Sequence, residues 1–411
     1  MRNKDYIFCI FTQNSESVFT IYKNYIESLI NEYGKFTIIN FYRYSKIKVK
    51  NKPNEKILRK TFKNKINFFY PKNKHEFIDF IENKHLIAID SLGRDFKDFK
   101  LRHLINKKNI FLILLINLGY LSNESTGQLK LSIKNTFYLY YKTINKIFYR
   151  ILILLNIFPK TTLYFDSRKK VVDKFHNSKT RNLLQKFPTL SFLKNYLNIH
   201  RINSNTYENL LKTKKIKKNN KIIFVDGNYK HNDILKREKL NLNKIKIEYF
   251  KLLAHKFTKL EKTFKKKVEI CLHPTSNLKI YKKYLKNFKI SRGKTTEKVL
   301  GSYMVTIHES SVIIDALMAN KMILIFETNI LGNYLLNKMF MYKYLLKIPS
   351  INIHSNKTLS KNDFLKKYKK TKKFRDKYIS ENLIYDNNTF ASTKFTKLIN
   401  DFIKNNKRHS L

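Results

Sequence analysis

From Lys267 to Thr328 short apolar runs of strand length alternate with amphipathic stretches, and few architectures accommodate that rhythm. The spacing predicts strands over 268–272, 288–291, 304–307 and 321–326, separated by helices over 277–286, 295–301 and 310–319. Strands this apolar bury both faces, which requires a parallel sheet covered by helices on each side. Open sheets of this kind bind ligands beyond the carboxyl ends of their strands. His273-Pro274 and His308-Glu309-Ser310-Ser311 fall at two such ends. Ser310 and Ser311 are placed to open the last helix, where backbone N–H groups, the positive end of the helix dipole and two hydroxyls would converge on a phosphate.

Each of these residues has a plainer reading beside the functional one. An imidazole at His273 can donate to a phosphate oxygen or give a proton to a leaving group, or it can simply end a strand, held by Pro274. Thr295 as N-cap with Glu297 in the first turn would stabilise a helix. Alternatively, Thr296 and Glu297 would contact a nucleotide, with Glu297 accepting from a ribose or base. Ser310 is itself a favoured capping residue type. Asp226 ends the strand-like run KIIFVDG (221–227), and Asp315 lies in the helix after the serine pair.

The N-terminal half repeats the alternation. Strands are expected over 6–11, 36–42, 66–69, 86–90 and 110–116, with a polar loop over 12–17 and helices over 18–33 and 94–108. Between Leu129 and Phe158 an aromatic and aliphatic helix carries Lys142, Lys146 and Arg150 at four-residue spacing, so they share one face. That face is either a solvated stripe on a core helix or an interfacial, membrane-facing one. The Lys-rich run 212–221 carries no apolar periodicity. The expected organisation is therefore a Rossmann-like domain over 1–205, a linker over 206–220, a second Rossmann-like domain over 221–360, and a basic helical segment over 361–411. The fold class is α/β, with two Rossmann-like domains and a cleft between them.

A chain of 411 residues exceeds one ordinary core, which suits two domains. Its formal charge of +54 points toward anionic partners. Lys far outnumbers Arg while Asn, Ile, Phe and Tyr are abundant, as AT-rich codons would produce, so the charge alone names no partner. No RNA-binding aromatic signature or zinc spacing accompanies the lysine run, which argues against nucleic acid and reads as a solvated linker; a surface this basic is expected to be drawn to anionic lipid head groups and to phosphorylated or acidic substrates. Cys9 and Cys271 sit inside apolar runs and read as buried hydrophobes in a reducing cytoplasm. The apolar runs 110–118 and 151–158 fall short of the ~20 residues that span a bilayer, and no signal peptide opens the chain. Walker, GxGxxG, GxSxG and DxD motifs are absent, as is any metal-spaced Cys/His cluster.

The run HESSVIIDALMANKMILIF resembles the DYSSVxxDxA…KPiIF segment of CDP-glycerol glycerophosphotransferases, with Ser310, Ser311, Val312, Asp315 and Ala316 in register. His308 and Glu309 stand where that pattern has Asp and Tyr, and Met322 where it has Pro. The wider order of an HP pair, a T-x-E or similar, and S-S before a helix is similar to GT-B surface-polysaccharide transferases, including bacterial sialyltransferases and capsule Kdo transferases. The resemblance covers about residues 220–330. It implies a GT-B enzyme in which His273 and the pair Ser310-Ser311 contact the donor phosphate; Pro274 and His308 are further candidates for the same nucleotide and phosphate site. Thr296 and Glu297 would contact the nucleotide.

The implied activity is metal-independent and cofactor-free transfer of a nucleotide-activated sugar, such as a CMP-linked sialic or Kdo-like acid, to a surface polysaccharide or lipopolysaccharide. The partners would be a nucleotide-sugar donor and a glycan or lipid-linked acceptor, at the inner face of the cytoplasmic membrane. Glu16 and Asp90 are the candidates for the base that activates the acceptor. Alternatives are a polyol-phosphate transferase, a non-catalytic scaffold of the same fold and, from the charge alone, a nucleic-acid binder.

Overall fold

The computed structural model describes residues 6–13, 15–45, 55–92, 98–107, 109–116, 144, 148, 151–153, 155, 157–159, 161–169, 172–173, 199–213, 216, 218–227, 242–356 and 360–408. They form two compact units, one drawn from residues within 1–118, 130–208 and 384–411 and the other from 209–383. Most of the predicted helix over 129–158, and the loop that follows residue 227, lie outside the described residues.

In the first unit, β1 (Tyr6–Thr12), α1 (Ser15–Tyr33), β2 (Phe36–Asn40), α2 (Glu55–Thr61), β3 (Ile66–Phe69), α3 (Lys74–Ile81), β4 (His85–Asp90), α4 (Phe99–Leu104) and β5 (Ile110–Ile116) alternate. Then come β6 (Thr161–Asp166), β7 (Ile199–Arg201) and α5 (Asn205–Lys212). The described strands make one parallel sheet in the order β3-β2-β1-β4-β5-β6-β7. Side chains alternate across it: Phe8 and Ile10 enter the core beneath α1, whereas Cys9 and Phe11 enter the one beneath α3 and α4. Cys9 and Cys271 are both buried and free, and burial raises both thiols above their usual range.

The second unit runs β8 (Ile222–Val225), α6 (Leu242–Phe264), β9 (Val268–Leu272), α7 (Leu278–Tyr284), β10 (Lys289–Arg292), α8 (Thr295–Gly301) and β11 (Met304–Ile307). It continues through α9 (Ile313–Met318), β12 (Met322–Glu327), α10 (Asn333–Leu346), β13 (Ser350–Asn352), α11 (Lys361–Lys370) and α12 (Lys372–Asn382). Its described strands are again all parallel, in the order β10-β9-β8-β11-β12-β13. In both units the chain steps outward for three strands and then returns beside its first strand. That reversal leaves a crevice at the carboxyl ends of β1 and β4 in one sheet and of β8 and β11 in the other.

The last helix, α13 (Ala391–Arg408), belongs to the first unit, where Phe395, Ile399 and Ile403 pack into the core beneath α1. Asn203 holds the approach to it: its amide donates to the Asp386 and Thr389 carbonyls, each at 2.6 Å, and its oxygen accepts from the N–H of Tyr385 at 2.6 Å and of Asp386 at 3.0 Å. The buried Glu208 carboxylate accepts from the Ser392 N–H at 2.8 Å and its hydroxyl at 2.6 Å, a negative charge set at the positive end of α13. Glu208 lies on α5, so the stretch read as a linker begins as a helix with Tyr207 and Glu208 buried.

Candidate active site

β8 ends at Val225, and Asp226-Gly227 follow it into the crevice of the second sheet. The register pairs Val225 with Cys271 of β9 on one side and with Ile307 of β11 on the other. Beyond these last paired residues the Asp226 N–H still donates to the Cys271 carbonyl at 2.9 Å, and a Cβ on Gly227 would lie 2.9 Å from the Glu309 carbonyl oxygen, so the chain leaves β8 tight against the exit of β11. Glycine is what lets β8 and β11 stay close at their exits.

Asp226 is 2% exposed and organises the loop after β9. One carboxylate oxygen accepts from the His273 N–H at 3.2 Å and the Ser276 hydroxyl at 2.5 Å, and the other accepts from the Tyr281 hydroxyl at 2.6 Å. Burial, with the facing Asp226 carboxylate, holds the Tyr281 phenol well above its usual range, so it remains a donor. Arg292, at the end of β10, donates to the Ser276 carbonyl. Asp226 therefore acts through the loop that carries His273. On His273 itself, Nδ1 accepts from the Thr275 N–H at 3.3 Å and faces the Thr275 hydroxyl at 2.8 Å. This fixes the tautomer with the proton on Nε2, the form that can donate to an oxyanion. His273 is half-buried and Pro274 exposed.

At the exit of β11 the helix starts later than its sequence suggests, because α9 opens at Ile313 with Val312 at the capping position. Ser310 and Ser311 form the turn before it. The Ser310 hydroxyl accepts from the Val312 N–H at 3.3 Å, which leaves its O–H to donate. Ser311 is exposed. Behind them, Thr296 donates to Asp315 at 2.9 Å and so links α8 to α9. Burial pushes the Asp315 carboxyl up to about 6, against the opposing pull of that hydroxyl.

α8 also differs at its start. Thr295 is its first residue rather than its cap, and Lys294 sits before it in the left-handed region with φ 52°. Glu297 projects into solvent and pairs with Lys294 at 3.7 Å.

His308 does not reach the crevice surface expected for a ligand contact. It is 2% exposed and its Nδ1–H donates to the Phe326 carbonyl at 2.6 Å, among the rings of Phe224, Tyr249 and Phe326. Burial pushes its pKa down to about 4, so it is neutral, and its Nε2 has no partner among the described residues. The row that pairs Ile307 with Ile325 also sets His308 beside Phe326, where the strand alternation turns its ring into the core.

In the first unit, Asp90 ends β4 at the crevice, but its carboxylate accepts from Arg102 at 2.7 Å with both side chains 1% exposed. The Leu92 N–H donates to its other oxygen at 3.2 Å. A carboxylate so committed to a buried guanidinium holds the β4 exit in shape and is poorly placed to take a proton. Glu16 lies in the first turn of α1, directly after β1, because that helix begins at Ser15 rather than at 18.

Reading the sequence missed Arg102, Ser276, Tyr281 and the role of Gly227. An arginine on the apolar face of a short helix and a glycine directly after a strand were the available signals. Among the described residues no three His, Cys, Asp or Glu side chains gather as a metal site.

No protein-family model matches the chain, and no curated protein matches it in sequence. Solved structures do match its fold. The wall teichoic acid polymerase TagF aligns over 97% of this chain and 89% of its own, at 12% identity and TM-score 0.56. TagF soaked with CDPG aligns over 97% and 90%, at 13% identity and TM-score 0.51. A protein from Listeria monocytogenes described as a UDP-N-acetylglucosamine 2-epimerase aligns over 98% and 97%, at 12% identity and TM-score 0.52. MnaA of S. aureus, solved with UDP, aligns over 97% of each chain at 12% identity and TM-score 0.51. At these identities the likeness is one of fold: two Rossmann-like units, as in proteins of the GT-B class.

Proposed function

We propose that the chain is a GT-B transferase whose donor is a nucleotide-activated sugar, bound at the carboxyl edge of the second sheet. The observation that carries this reading is the exit of β8 at the strand-order reversal, where Gly227 lies against Glu309, just before the Ser310-Ser311 turn, and Asp226 holds the loop that carries His273. Glycine keeps the crevice floor open, Nε2–H of His273 and the serine hydroxyls supply donors, and Asp226 holds the His273 loop in place. Thr296 and Glu297 are the residues we propose for the nucleoside.

When the acceptor oxygen bonds to the anomeric carbon, the bond from that carbon to the phosphate oxygen breaks and its electron pair goes to the departing nucleotide. His273, Ser310 and Ser311 would stabilise that charge, the preorganised electrostatic contribution that is often the largest in catalysis. For the base that deprotonates the acceptor we assign Glu16 over Asp90, because Arg102 already occupies Asp90. The acceptor is a surface glycan or its lipid-linked precursor at the inner face of the cytoplasmic membrane. The protein would work there as a peripheral one; no helix among the described residues is long and apolar enough to cross a membrane.

A second reading, transfer of a polyol phosphate from a CDP-linked donor, is favoured by the Ser310-Ser311-Val312-x-x-Asp315 register and by the fold likeness to TagF. In that reaction the phosphorus, rather than a sugar carbon, is attacked, and CMP leaves.

The test is a thermal-shift screen against CMP, CDP, UDP, GDP and their conjugates, followed by mass spectrometry of the product. A ligand that binds only the folded state raises the melting temperature. A sugar increment supports the first reading and a glycerol-phosphate increment the second. Absence of any nucleotide-induced shift would sink both.

A further inference from the structure

A band of exposed aromatic rings and lysines crosses α10 and the start of α12 in the second unit. Tyr344 is 57% exposed, Phe340 44% and Phe374 37%. Phe340 and Tyr344 are one helical turn apart, so they share a side of α10. Leu335, Met339, Tyr342 and Leu346 fill the core from the same helix. Thus α10 carries large apolar groups on two sides, and only one of them is buried.

Lysines join the exposed rings into a single patch. The Lys347 ammonium lies 4.5 Å from the Tyr344 ring centre and 5.8 Å from that of Phe374. Lys343 stands 5.8 Å from Phe340, and Lys373 5.5 Å from Phe374. Beside them the KKYKKTKKF stretch of α11 and α12 presents further exposed lysines, with Tyr368 alone among its rings turned inward.

We propose that this patch is the surface by which the protein docks on an anionic lipid bilayer. Lysines clustered at a surface are attracted to acidic head groups, and aromatic rings favour the head-group region, where an apolar face and a polar edge are both satisfied. The two features occur here on the same few residues. A soluble polyanion would need only the lysines and would leave the three rings in water. The proposal deepens the peripheral location stated above and rests on that part of the reading, not on the donor chemistry.

The test is co-sedimentation of the full chain with phosphatidylcholine vesicles, with and without phosphatidylglycerol, at low and moderate salt. Two variants are compared with the parent: Phe340→Ser/Tyr344→Ser/Phe374→Ser, and Lys347→Gln/Lys373→Gln. Melting temperature and the nucleotide-induced shift, read on the same samples, report folding and the donor site separately. The parent is expected to sediment only with the phosphatidylglycerol vesicles. The aromatic variant should lose about 10-fold or more in partitioning, and the lysine variant should bind more weakly with a shallower salt dependence. Equal sedimentation of parent and aromatic variant would place the docking surface elsewhere. Failure of the parent to bind such vesicles would remove the membrane location while leaving the nucleotide result standing. Tighter binding to duplex DNA than to vesicles, unchanged in the aromatic variant, would overturn the proposal in favour of nucleic acid.

Discussion

Gly227 lies so close beneath the main chain of Glu309 that a single added carbon would come within 2.9 Å of the Glu309 oxygen. The contact joins the exits of β8 and β11, the two strands between which the second sheet reverses its order. Backbone cannot yield as a flexible side chain would. Gly227→Ala should therefore destabilise the protein by about 1–3 kcal/mol and weaken the nucleotide-induced thermal shift by more than its stability loss explains. Urea unfolding and the thermal-shift titration measure the two effects separately.

Asp226 accepts three hydrogen bonds in a buried setting, so removing it strands the Tyr281 hydroxyl, the Ser276 hydroxyl and the His273 N–H. Asp226→Ala should lower stability by roughly 2–4 kcal/mol. Asp226→Asn keeps an acceptor and should cost less. If Asp226 serves only to hold the loop, a folded Asp226→Asn protein will keep the proposed donor turnover, with the change concentrated in KM. A fully folded but inactive variant would instead give the carboxylate a direct role.

His273→Ala, and the pair Ser310→Ala with Ser311→Ala, probe the proposed phosphate contacts. Both should fold, since His273 is half-buried and Ser311 exposed. Each should lower kcat/KM by about 100-fold, the scale for one oxyanion donor. Binding of nucleotides at parental strength by both variants would show that the phosphate sits elsewhere.

Asp315 and His308 should give the unfolding profile opposing slopes. The folded-state pKa of Asp315 is raised to about 6, so its protonated form favours folding; that contribution is present at pH below the ordinary carboxylate range and is lost as pH rises through about 6. The folded-state pKa of His308 is lowered to about 4, so its contribution is present above the ordinary imidazole pKa and is lost as pH falls toward 4. Asp315→Asn should therefore gain stability relative to the parent at pH 7.5 but not at pH 4, by at most about 3 kcal/mol. His308→Gln should flatten the acid side of the profile. Urea unfolding across this pH range, parent against each variant, reads both.

Arg102 and Asp90 form a buried pair, so removing either partner alone leaves an isolated charge. Arg102→Met should cost about 3–5 kcal/mol, and Arg102→Met combined with Asp90→Leu should recover part of it. Glu16→Gln should lower kcat if Glu16 is the base. Unchanged kcat would exclude it.

The architecture was legible because its strands announce themselves. The run 304–307 has no polar residue but Thr306, and the observed β11 is Met304–Ile307; the predicted 66–69 is likewise β3. Both faces of β11 are buried, so its apolar run survives without alternation and its ends are sharp, whereas β3, at the sheet edge, keeps an exposed Asn67. The position of His273 and of the serine pair after their strands followed from the same boundaries. What could not be read was where polar side chains turn. His308 follows a strand just as His273 does, yet the parity of β11 points it at Phe224 and Phe326 rather than into the crevice. Asp90 looked like a base because its partner, Arg102, is separated from it by a stretch with no fixed spacing. Thr295 satisfied every local rule for a cap, but the left-handed Lys294 took that position.

The final helix has a bearing on how the chain is made. Thr396 and Asn400 bond to Ser28 and Glu32 across a sequence separation of 368 residues, and Phe395, Ile399 and Ile403 complete the core over which α1 lies. A ribosome moving at the usual rate needs about 10–40 s to pass from the middle of the chain to those residues. During that interval the second unit, whose described residues lie within 209–383, is itself being made and can fold as it emerges, while the unit begun first must wait with part of its apolar interior uncovered. The N-terminal half is thus the last to finish, and it is the half from which a nascent or truncated chain would aggregate.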